Sequence, residues 1–211
     1  MKLNLGCGGV QPEGWTNVDY SLGARLSKIP LYRPLNNRFK VFDVDSDGLV
    51  RQWNPGVVIA DLTKRFPWPD HSAECIYTSH TLEHFSREEG LHFLSECRRV
   101  LGPGGILRII VPDVRHIIEE YLKGAIRADR LVERLGVLYE RKPHPLKNIL
   151  APLTQFPHRC MYDAPSLLQI LSDLGFSASP KQPFESAIPD IRNIELAERT
   201  EHAVIVEGTR M

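Results

Sequence analysis

The sequence of 211 residues has few cysteines and no long apolar run. The four cysteines, Cys7, Cys75, Cys97 and Cys160, are widely scattered and form no close pair of the kind that signals a zinc site. No stretch approaches the roughly 18 apolar residues of a membrane span, and the amino terminus lacks a basic segment followed by a long apolar run. We therefore expect a cytoplasmic protein with reduced thiols and no membrane partner.

An excess of either charge is also missing. Lys plus Arg and Asp plus Glu both number 26, which gives a formal net charge of +0. Without a basic field the chain has no general attraction for nucleic acid or anionic lipid. The length suits one well-filled domain, and no internal repeat is visible. We therefore expect a single domain and disfavour nucleic acid as a partner.

A short apolar run at the amino terminus stops in a glycine-rich turn, Gly6-Cys7-Gly8-Gly9. Leu3 and Leu5 predict a buried strand, and glycine permits backbone dihedrals that a side chain would forbid. In an open α/β sheet, the carboxyl end of the first strand borders the crevice where ligands bind. The same residues also fit an ordinary tight turn, so a ligand site at this turn requires support from later parts of the chain.

Two further short runs end in an acid. Residues 15–19 predict a second strand that ends at Asp19, and the β-branched run 57–61 predicts a buried parallel strand that ends at Asp61. The gap between the first two strands is too short for a full crossover helix, so we expect a helix of a turn or so there. Two acids after successive strands favour ligand contacts over solvated strand ends.

From residue 74 onward, apolar periodicity predicts alternating strands and helices. The predicted strands are 74–79, 106–111, 176–179 and 202–207, and the predicted helices are 87–101, 114–123, 128–139 and 164–174. Residues 21–55 predict an irregular connection with a short strand or helix inside it, and the proline-rich stretch 141–157 predicts a loop or lid. Together these elements predict one doubly wound α/β domain over 1–211, with a mostly parallel sheet, a C-terminal antiparallel strand and a helical or loop insertion at 114–163.

Five blocks of sequence accompany this order of elements: LNLGCG at 3–8, NVD at 17–19, DL at 61–62, SHTLEHF at 79–85 and RRVLGPGG at 98–105. Together they resemble class I S-adenosylmethionine-dependent methyltransferases of the broad small-molecule type. A weaker match occurs at 158–163. The resemblance covers about the first half of the chain and implies a Rossmann-like methyltransferase fold, a transferase activity and S-adenosyl-L-methionine as the cofactor.

The resemblance also implies a role for individual residues. Those implied to bind the cofactor are Gly6, Cys7, Gly8, Asp19, Asp61, Leu62, Ser79 and His80. Asp19 would accept hydrogen bonds from the ribose hydroxyls and Asp61 from the adenine amino group, although either acid could instead cap a helix. The family often has a third glycine and a full helix after the first strand, and this sequence departs from that pattern at the methionine end of the pocket.

Four residues are candidates for catalysis: His80, Glu83, His84 and His158. The first three have the i, i+3, i+4 spacing that places side chains on one face if a helix starts there, and they suit a base with its orienting acid. They also resemble the acid-x-x-Glu-His metal cluster of certain RNA-terminal and quinone-precursor methyltransferases, with His80 in place of the acid and His158 as a distant fourth ligand. A third interpretation is that Glu83 and His84 merely anchor the next helix, and His158 is equally compatible with a structural role. Metal binding is left open.

No Asn/Asp-Pro-Pro-Tyr segment, which enzymes that methylate nucleic-acid bases tend to carry, comes after the fourth strand. With the neutral charge, this favours a small-molecule or sugar acceptor, methylated at oxygen in preference to nitrogen or carbon. Phe66, Trp68 and Phe156 could form an apolar acceptor wall, although aromatics beside prolines usually just pack. One alternative is a nicotinamide-dependent oxidoreductase, which the missing Gly-x-Gly-x-x-Gly spacing disfavours. Another is a non-catalytic module of the same fold that binds the cofactor.

Overall fold

The computed structural model describes residues 1–39, 53–139, Asn148 and 151–211. In these parts of the chain, the strands are β1 (Lys2–Leu5), β2 (Thr16–Asp19), β3 (Val58–Ile59), β4 (Ala73–Ser79), β5 (Leu101–Pro112), β6 (Phe176–Pro180) and β7 (Ala203–Arg210). They form one sheet in the order β3-β2-β1-β4-β5-β7-β6. Strands β1 to β5 pair in parallel, whereas β7 pairs antiparallel with β5 and β6. This confirms the predicted mostly parallel sheet with a C-terminal antiparallel strand.

Helices cover this sheet. They are α1 (Leu22–Leu26), α2 (Tyr32–Phe39), α3 (Arg87–Val100), α4 (Val114–Leu122), α5 (Ala128–Arg134), α6 (Ala151–Thr154), α7 (Ala164–Asp173) and α8 (Ala197–Thr200), with 3-10 helices at Leu82–His84 and Ile191–Asn193. In the described residues, no helix is both long and apolar enough to cross a bilayer. Helix α3 begins at a capping box, in which the Ser86 side chain accepts from Glu89 N and the Glu89 carboxylate accepts from Ser86 N.

The Gly-Pro-Gly-Gly sequence ends α3 as predicted, but it does so as part of β5. Leu101 pairs with Ala73 and Ile106 with Cys75, so the four residues between them bulge out of the ladder. A Cβ at Gly105 would lie 2.9 Å from the Gly102 carbonyl oxygen, which explains a glycine there. The bulge lets the apolar run that comes next enter the centre of the sheet.

Three elements differ from the predictions in length. Residues 6–15 contain turns but no helix, because the Asn4 side chain bonds the Val10 carbonyl at 2.7 Å and the Asn17 side chain at 2.8 Å and so holds the connection in place of a helix. Strand β3 has two half-buried residues at the edge of the sheet instead of five buried ones. Helix α5 ends five residues earlier than predicted, since Gly136 adopts a φ of 70°.

The connection 21–55, where the sequence predicts a short strand or helix, contains two short helices in its described part, α1 and α2, and residues 40–52 lie outside the described residues. Most of the lid expected at 141–157 also lies outside the described residues. At the described end of that stretch, α6 covers Ala151–Thr154, and residues 155–159 have no regular secondary structure. The boundaries of the remaining helices and strands agree with the sequence patterns to within a few residues.

Apolar side chains fill both faces of the sheet. On one face, residues of β1, β4 and β5 pack against α3 and α7: Leu3, Leu5, Ile76, Leu107, Ile109, Phe93, Leu94, Leu167 and Leu171. On the other face, Tyr77, Ile110 and Ile205 pack with Trp15 and the apolar residues of 188–194. This alternation along β5 agrees with the two-residue period of a strand.

One arginine interrupts the second face. Arg108 is fully buried and donates to both carboxylate oxygens of Glu195, at 2.6 and 2.9 Å, and to Glu207 at 3.3 Å. Its remaining donors reach the carbonyls of Gln182 and Glu185. We call Arg108, Glu195 and Glu207 the Arg108 cluster. It ties the loop before α8 to the centre of the sheet.

Candidate functional site

A cavity of about 400 Å³ lies at the carboxyl ends of the parallel strands. It is lined by residues that come after β1 to β4 and by three more distant ones: Gly6, Gly8, Asp19, Tyr20, Ser21, Asp61, Leu62, Thr63, His80, Thr81, His84, Phe85, Phe156, Arg159 and Arg199. Open α/β sheets bind ligands at this edge. Six of the eight residues predicted to contact a cofactor line this cavity; Cys7 and Ser79 do not.

The glycine turn after β1 is held flat against β2. The N–H groups of Gly6 and Cys7 both donate to the Val18 carbonyl at 2.9 Å. Gly6 has a φ of 72°, and a Cβ on it would lie 2.1 Å from Thr81 Oγ1, so no side chain fits. Cys7 is buried and packs with Ala24 on the far side of the turn. The turn therefore presents backbone to the cavity.

Asp19 links this turn to the start of α1. Its Oδ2 accepts from Gly8 N at 2.9 Å and its Oδ1 from Ser21 N at 2.7 Å. The side chain is therefore neither a solvated strand end nor a free carboxylate. Because each carboxylate oxygen can accept two hydrogen bonds, both retain capacity for a ligand hydroxyl.

Asp61 organises the turn after β3 in a similar way. Its Oδ1 accepts from the N–H of Thr63 at 3.0 Å and from the Thr63 hydroxyl at 2.7 Å. Its other oxygen accepts no hydrogen bond from the described residues and is available at the cavity. Leu62 beside it is buried and gives this part of the wall an apolar surface.

The two residues at the end of β4 occupy different places. Ser79 lies behind the cavity wall, where it borders a void of about 10 Å³. His80 lines the cavity with a φ of 51°, a conformation that few residues other than glycine adopt. Its Nε2–H donates to the Arg199 carbonyl at 2.9 Å, and its Nδ1 is 3.4 Å from Glu83 Oε1.

These contacts determine the charge of His80. Burial lowers the pKa of His80, but the Glu83 carboxylate and the Arg199 carbonyl together outweigh it, and the pKa is raised. Both ring nitrogens thus face acceptors, which favours the imidazolium form. A protonated imidazole with both nitrogens engaged is a poor base.

The other three catalytic candidates lie together. Glu83 and His84 belong to the 3-10 helix Leu82–His84. The potential ligand atoms of Glu83, His84 and His158 all lie within 4.8 Å of one another. We call these three residues the Glu83 cluster. His80 precedes the helix and reaches the cluster only through Glu83. The contact between His80 and Glu83 agrees with their predicted i, i+3 spacing, and His158, expected as a distant fourth member, joins Glu83 and His84.

The Glu83 cluster is buried and poorly paired. Glu83 is 1% exposed, and within the described residues no donor forms a hydrogen bond with either carboxylate oxygen. His84 Nδ1 is also buried without a partner, and burial lowers the pKa of His84. His158 Nδ1, in contrast, donates to the Leu135 carbonyl at 2.7 Å.

Several cavity residues were not predicted. Thr81 and Phe85 lie inside the 79–85 block, where the spacing to their neighbours could have identified them. Arg199 comes from α8, 119 residues after His80, and the sequence carries no local signal for this contact.

Only part of the apolar acceptor wall proposed from the sequence exists. Phe156 lines the cavity and is 54% exposed. Phe66 is in the core, 5.7 Å from Phe93 between ring centroids, and Trp68 packs against the same cluster. Phe66 and Trp68 therefore follow the second interpretation, in which aromatics beside prolines pack in the core, and neither forms part of an acceptor wall.

Comparison with known proteins agrees with this geometry. The family described as "Methyltransferase domain" matches residues 3–109, which span β1 to most of β5. No curated protein shows a significant match.

Solved structures share the fold at low identity. An S-adenosylmethionine-dependent methyltransferase from Methanosarcina mazei is 16% identical, with 100% of this chain and 92% of that chain covered and a TM-score of 0.53. The YcgJ protein of Bacillus subtilis is 13% identical, with 99% and 91% covered and a TM-score of 0.52. A possible histamine N-methyltransferase from Thermotoga maritima is 16% identical, with 100% and 81% covered and a TM-score of 0.50.

Proposed function

Because the chain belongs to the methyltransferase domain family and is a class I S-adenosylmethionine-dependent methyltransferase, we propose that it methylates a hydroxyl oxygen of a small molecule or carbohydrate. The observation that carries this proposal is the polarity of the cavity. Glycine backbone and two carboxylates line one end, and imidazole, guanidinium and aromatic side chains line the other. The family match favours neither the nicotinamide-dependent oxidoreductase nor a non-catalytic module.

The residues at the first end fit the cofactor. Its sulfonium supplies a methyl group that is already activated for transfer. The Gly6 and Gly8 backbone is open to close approach, Asp19 keeps acceptor capacity for ribose hydroxyls, and Asp61 keeps a free oxygen for an amino group. In this proposal Cys7 contributes backbone only, Leu62 flanks the adenine, and Ser79 supports the wall from behind.

The second end suits an acceptor that carries a ring. Phe156 exposes half of its surface at the cavity, and such a face can stack on a sugar or aromatic ring. Arg159 beside it is oriented by Glu89 at 2.6 Å. Both residues belong to the segment 114–163, which we propose as a lid or insertion, and they line the cavity from its described part. The net charge of +0 also supports a small acceptor over nucleic acid.

A hydroxyl acceptor has to lose its proton during transfer. His80 is not suited to take it, because both of its nitrogens face acceptors. We assign His80 to positioning, with the Glu83 cluster as the group that acts on the acceptor oxygen. His84 borders the cavity directly and is the member nearest to an acceptor.

Calorimetric titration with S-adenosylhomocysteine tests the cofactor end. We expect binding by the wild-type chain, a clear loss of affinity in Asp19→Asn and Asp61→Asn, and no change in Glu13→Gln, an exposed acid outside the cavity. Binding unaffected by both cavity substitutions would contradict the assignment.

A panel of acceptors with labelled methyl donor tests the other end. Saccharides and phenols should be methylated in preference to amines and RNA. Labelling of only nitrogen acceptors or nucleic acid would refute the proposed acceptor class.

A further inference from the structure

The Glu83 carboxylate is an unusual group to find inside a fold. It is 1% exposed, and neither oxygen receives a hydrogen bond from the described residues. A buried charge is costly unless it is paired, hydrogen-bonded or bound to a metal. His80 Nδ1 pairs with one oxygen at 3.4 Å without forming a hydrogen bond, and the second oxygen has no donor among the described residues. A ligand other than the described residues is therefore expected to bind the Glu83 carboxylate.

The two neighbouring histidines have ring nitrogens to offer. His84 Nδ1 is buried without a partner. His158 uses Nδ1 to donate to the Leu135 carbonyl, and this contact leaves Nε2 unprotonated in the neutral ring. A backbone carbonyl on the far nitrogen is the usual way in which proteins orient a metal-binding imidazole.

Backbone contacts bring these distant residues together. Arg159 N and Cys160 N both donate to the Glu83 carbonyl, at 2.8 and 3.1 Å. His158 N donates to the Gly136 carbonyl at 2.9 Å, and a Cβ on Gly136 would lie 2.8 Å from the His158 ring. The cluster is therefore held by main-chain hydrogen bonds, and its side chains remain available for a ligand.

We propose that Glu83, His84 and His158 bind one zinc ion. Two imidazoles and one carboxylate match the three protein ligands of catalytic zinc sites, whereas magnesium and calcium prefer oxygen ligands alone. Bonds of about 2.0–2.2 Å place tetrahedral ligands roughly 3.4 Å apart, so the present separations of up to 4.8 Å require small side-chain rotations. Three protein ligands leave a fourth position open.

The position of the cluster gives this ion a role, and that role rests on the proposed function. His84 borders the main cavity, and His158 borders an adjoining cavity of about 290 Å³. An acceptor hydroxyl could therefore occupy the open position. Zinc would make this hydroxyl more acidic, its proton would pass to solvent water, and the oxygen would be held for the methyl group.

Metal binding can be measured without cofactor or acceptor. The 211-residue chain is freed of metal with a chelator, returned to chelator-free buffer and titrated with Zn²⁺, and bound metal is then counted by mass spectrometry. We expect one equivalent per chain. Glu83→Gln and His158→Asn should bind about 100-fold more weakly or worse, since loss of an outer-shell partner alone costs roughly 10- to 100-fold. His92→Asn, on the exposed side of α3, is the matched control and should bind as the wild type does.

Cobalt absorption spectra test the ligand set. Co²⁺ bound with a low coordination number should give intense visible absorption bands in the wild type and in His80→Asn. These bands should be absent from Glu83→Gln. Loss of the bands in His80→Asn would contradict the set of three. No stoichiometric Zn²⁺ uptake, equal affinity of Glu83→Gln, or equal competition by Mg²⁺ would overturn the proposal.

The outcome is separable from that of the proposed function. Glu83→Gln should bind S-adenosylhomocysteine within about twofold of the wild type, because the cofactor residues lie at the other end of the cavity. If the metal tests fail while cofactor binding and methyl transfer persist, the zinc site alone is refuted. If zinc binds but no hydroxyl acceptor is methylated, the acceptor class is wrong instead.

Discussion

Among the buried carboxylates of the described residues, those of the Arg108 cluster and of the Glu83 cluster have very different numbers of hydrogen-bond donors. In the Arg108 cluster, one guanidinium serves Glu195 and Glu207, while backbone N–H groups and the Ser186 hydroxyl supply further donors. In the Glu83 cluster, the described residues supply no hydrogen bond to the carboxylate. A paired cluster can stabilise a fold, whereas an unpaired one costs stability unless a ligand completes it. On this difference rests the proposal that the Arg108 cluster is structural and that the Glu83 cluster binds a ligand.

The largest effect should result from breaking the paired cluster. Arg108→Met leaves two carboxylates buried without their main donor, and we expect the free energy of unfolding to fall by about 3–5 kcal/mol. Denaturant unfolding monitored by circular dichroism measures this loss. Arg130→Met removes an exposed arginine that pairs with Glu133 and should change stability very little. Equal effects of the two substitutions would show that the Arg108 cluster is not structural.

A second prediction concerns the glycine turn. Gly6→Ala adds left-handed backbone strain and a clash with Thr81, and we expect it to cost roughly 3 kcal/mol of stability and to abolish most cofactor binding. Gly14→Ala has a similar φ of 79° but nothing within 4 Å of the new Cβ, and it should cost only about 1–2 kcal/mol. Unfolding and calorimetry on both variants separate strain from contact. Equal loss of cofactor binding in both would refute a specific role for Gly6.

A third prediction is the gain in stability on completing the unpaired cluster. Zn²⁺ at a free concentration of about 100 times its Kd should raise the free energy of unfolding by about 2.7 kcal/mol. The same gain should appear in Arg108→Met and be absent from Glu83→Gln, because the two clusters share no contacts. Thermal unfolding with and without Zn²⁺ measures it. Stabilisation that persists in Glu83→Gln would place the ion elsewhere.

The sequence predicted the residues at the proposed cofactor end of the cavity better than those at the proposed acceptor end. Gly6, Asp19 and Asp61 each lie at or just after the end of a short strand, and strand periodicity fixes where such residues lie in a parallel sheet. Local pattern was enough for these three. The fold class could be inferred from the same periodicity, since the alternation of strands and helices allows few topologies.

The acceptor end depends on contacts between distant parts of the chain. Spacing grouped His80 with Glu83, and the two are in contact, but the sequence carried no sign that His80 also binds the Arg199 carbonyl or that His158 lies beside Glu83 and His84. Similarly, Arg108 lies in the most apolar strand, and its partner Glu195 comes 87 residues later. Side-chain pairing over such separations leaves no periodic trace in a single sequence.

The smallest expected effect is the most informative for the comparison. In metal-free protein, Glu83→Gln replaces a buried carboxylate that accepts no hydrogen bond from the described residues, and whose ion-pair partner among them is His80 at 3.4 Å, with a neutral group of the same shape. We therefore expect the free energy of unfolding to change by less than about 1 kcal/mol or to rise. Denaturant unfolding of Glu83→Gln and of Arg108→Met under identical conditions measures the difference between the two free energies of unfolding. A loss as large as that of Arg108→Met would mean that Glu83 already has strong partners in the fold. A near-zero change, together with the loss of metal binding, would show that this carboxylate is retained for its ligand.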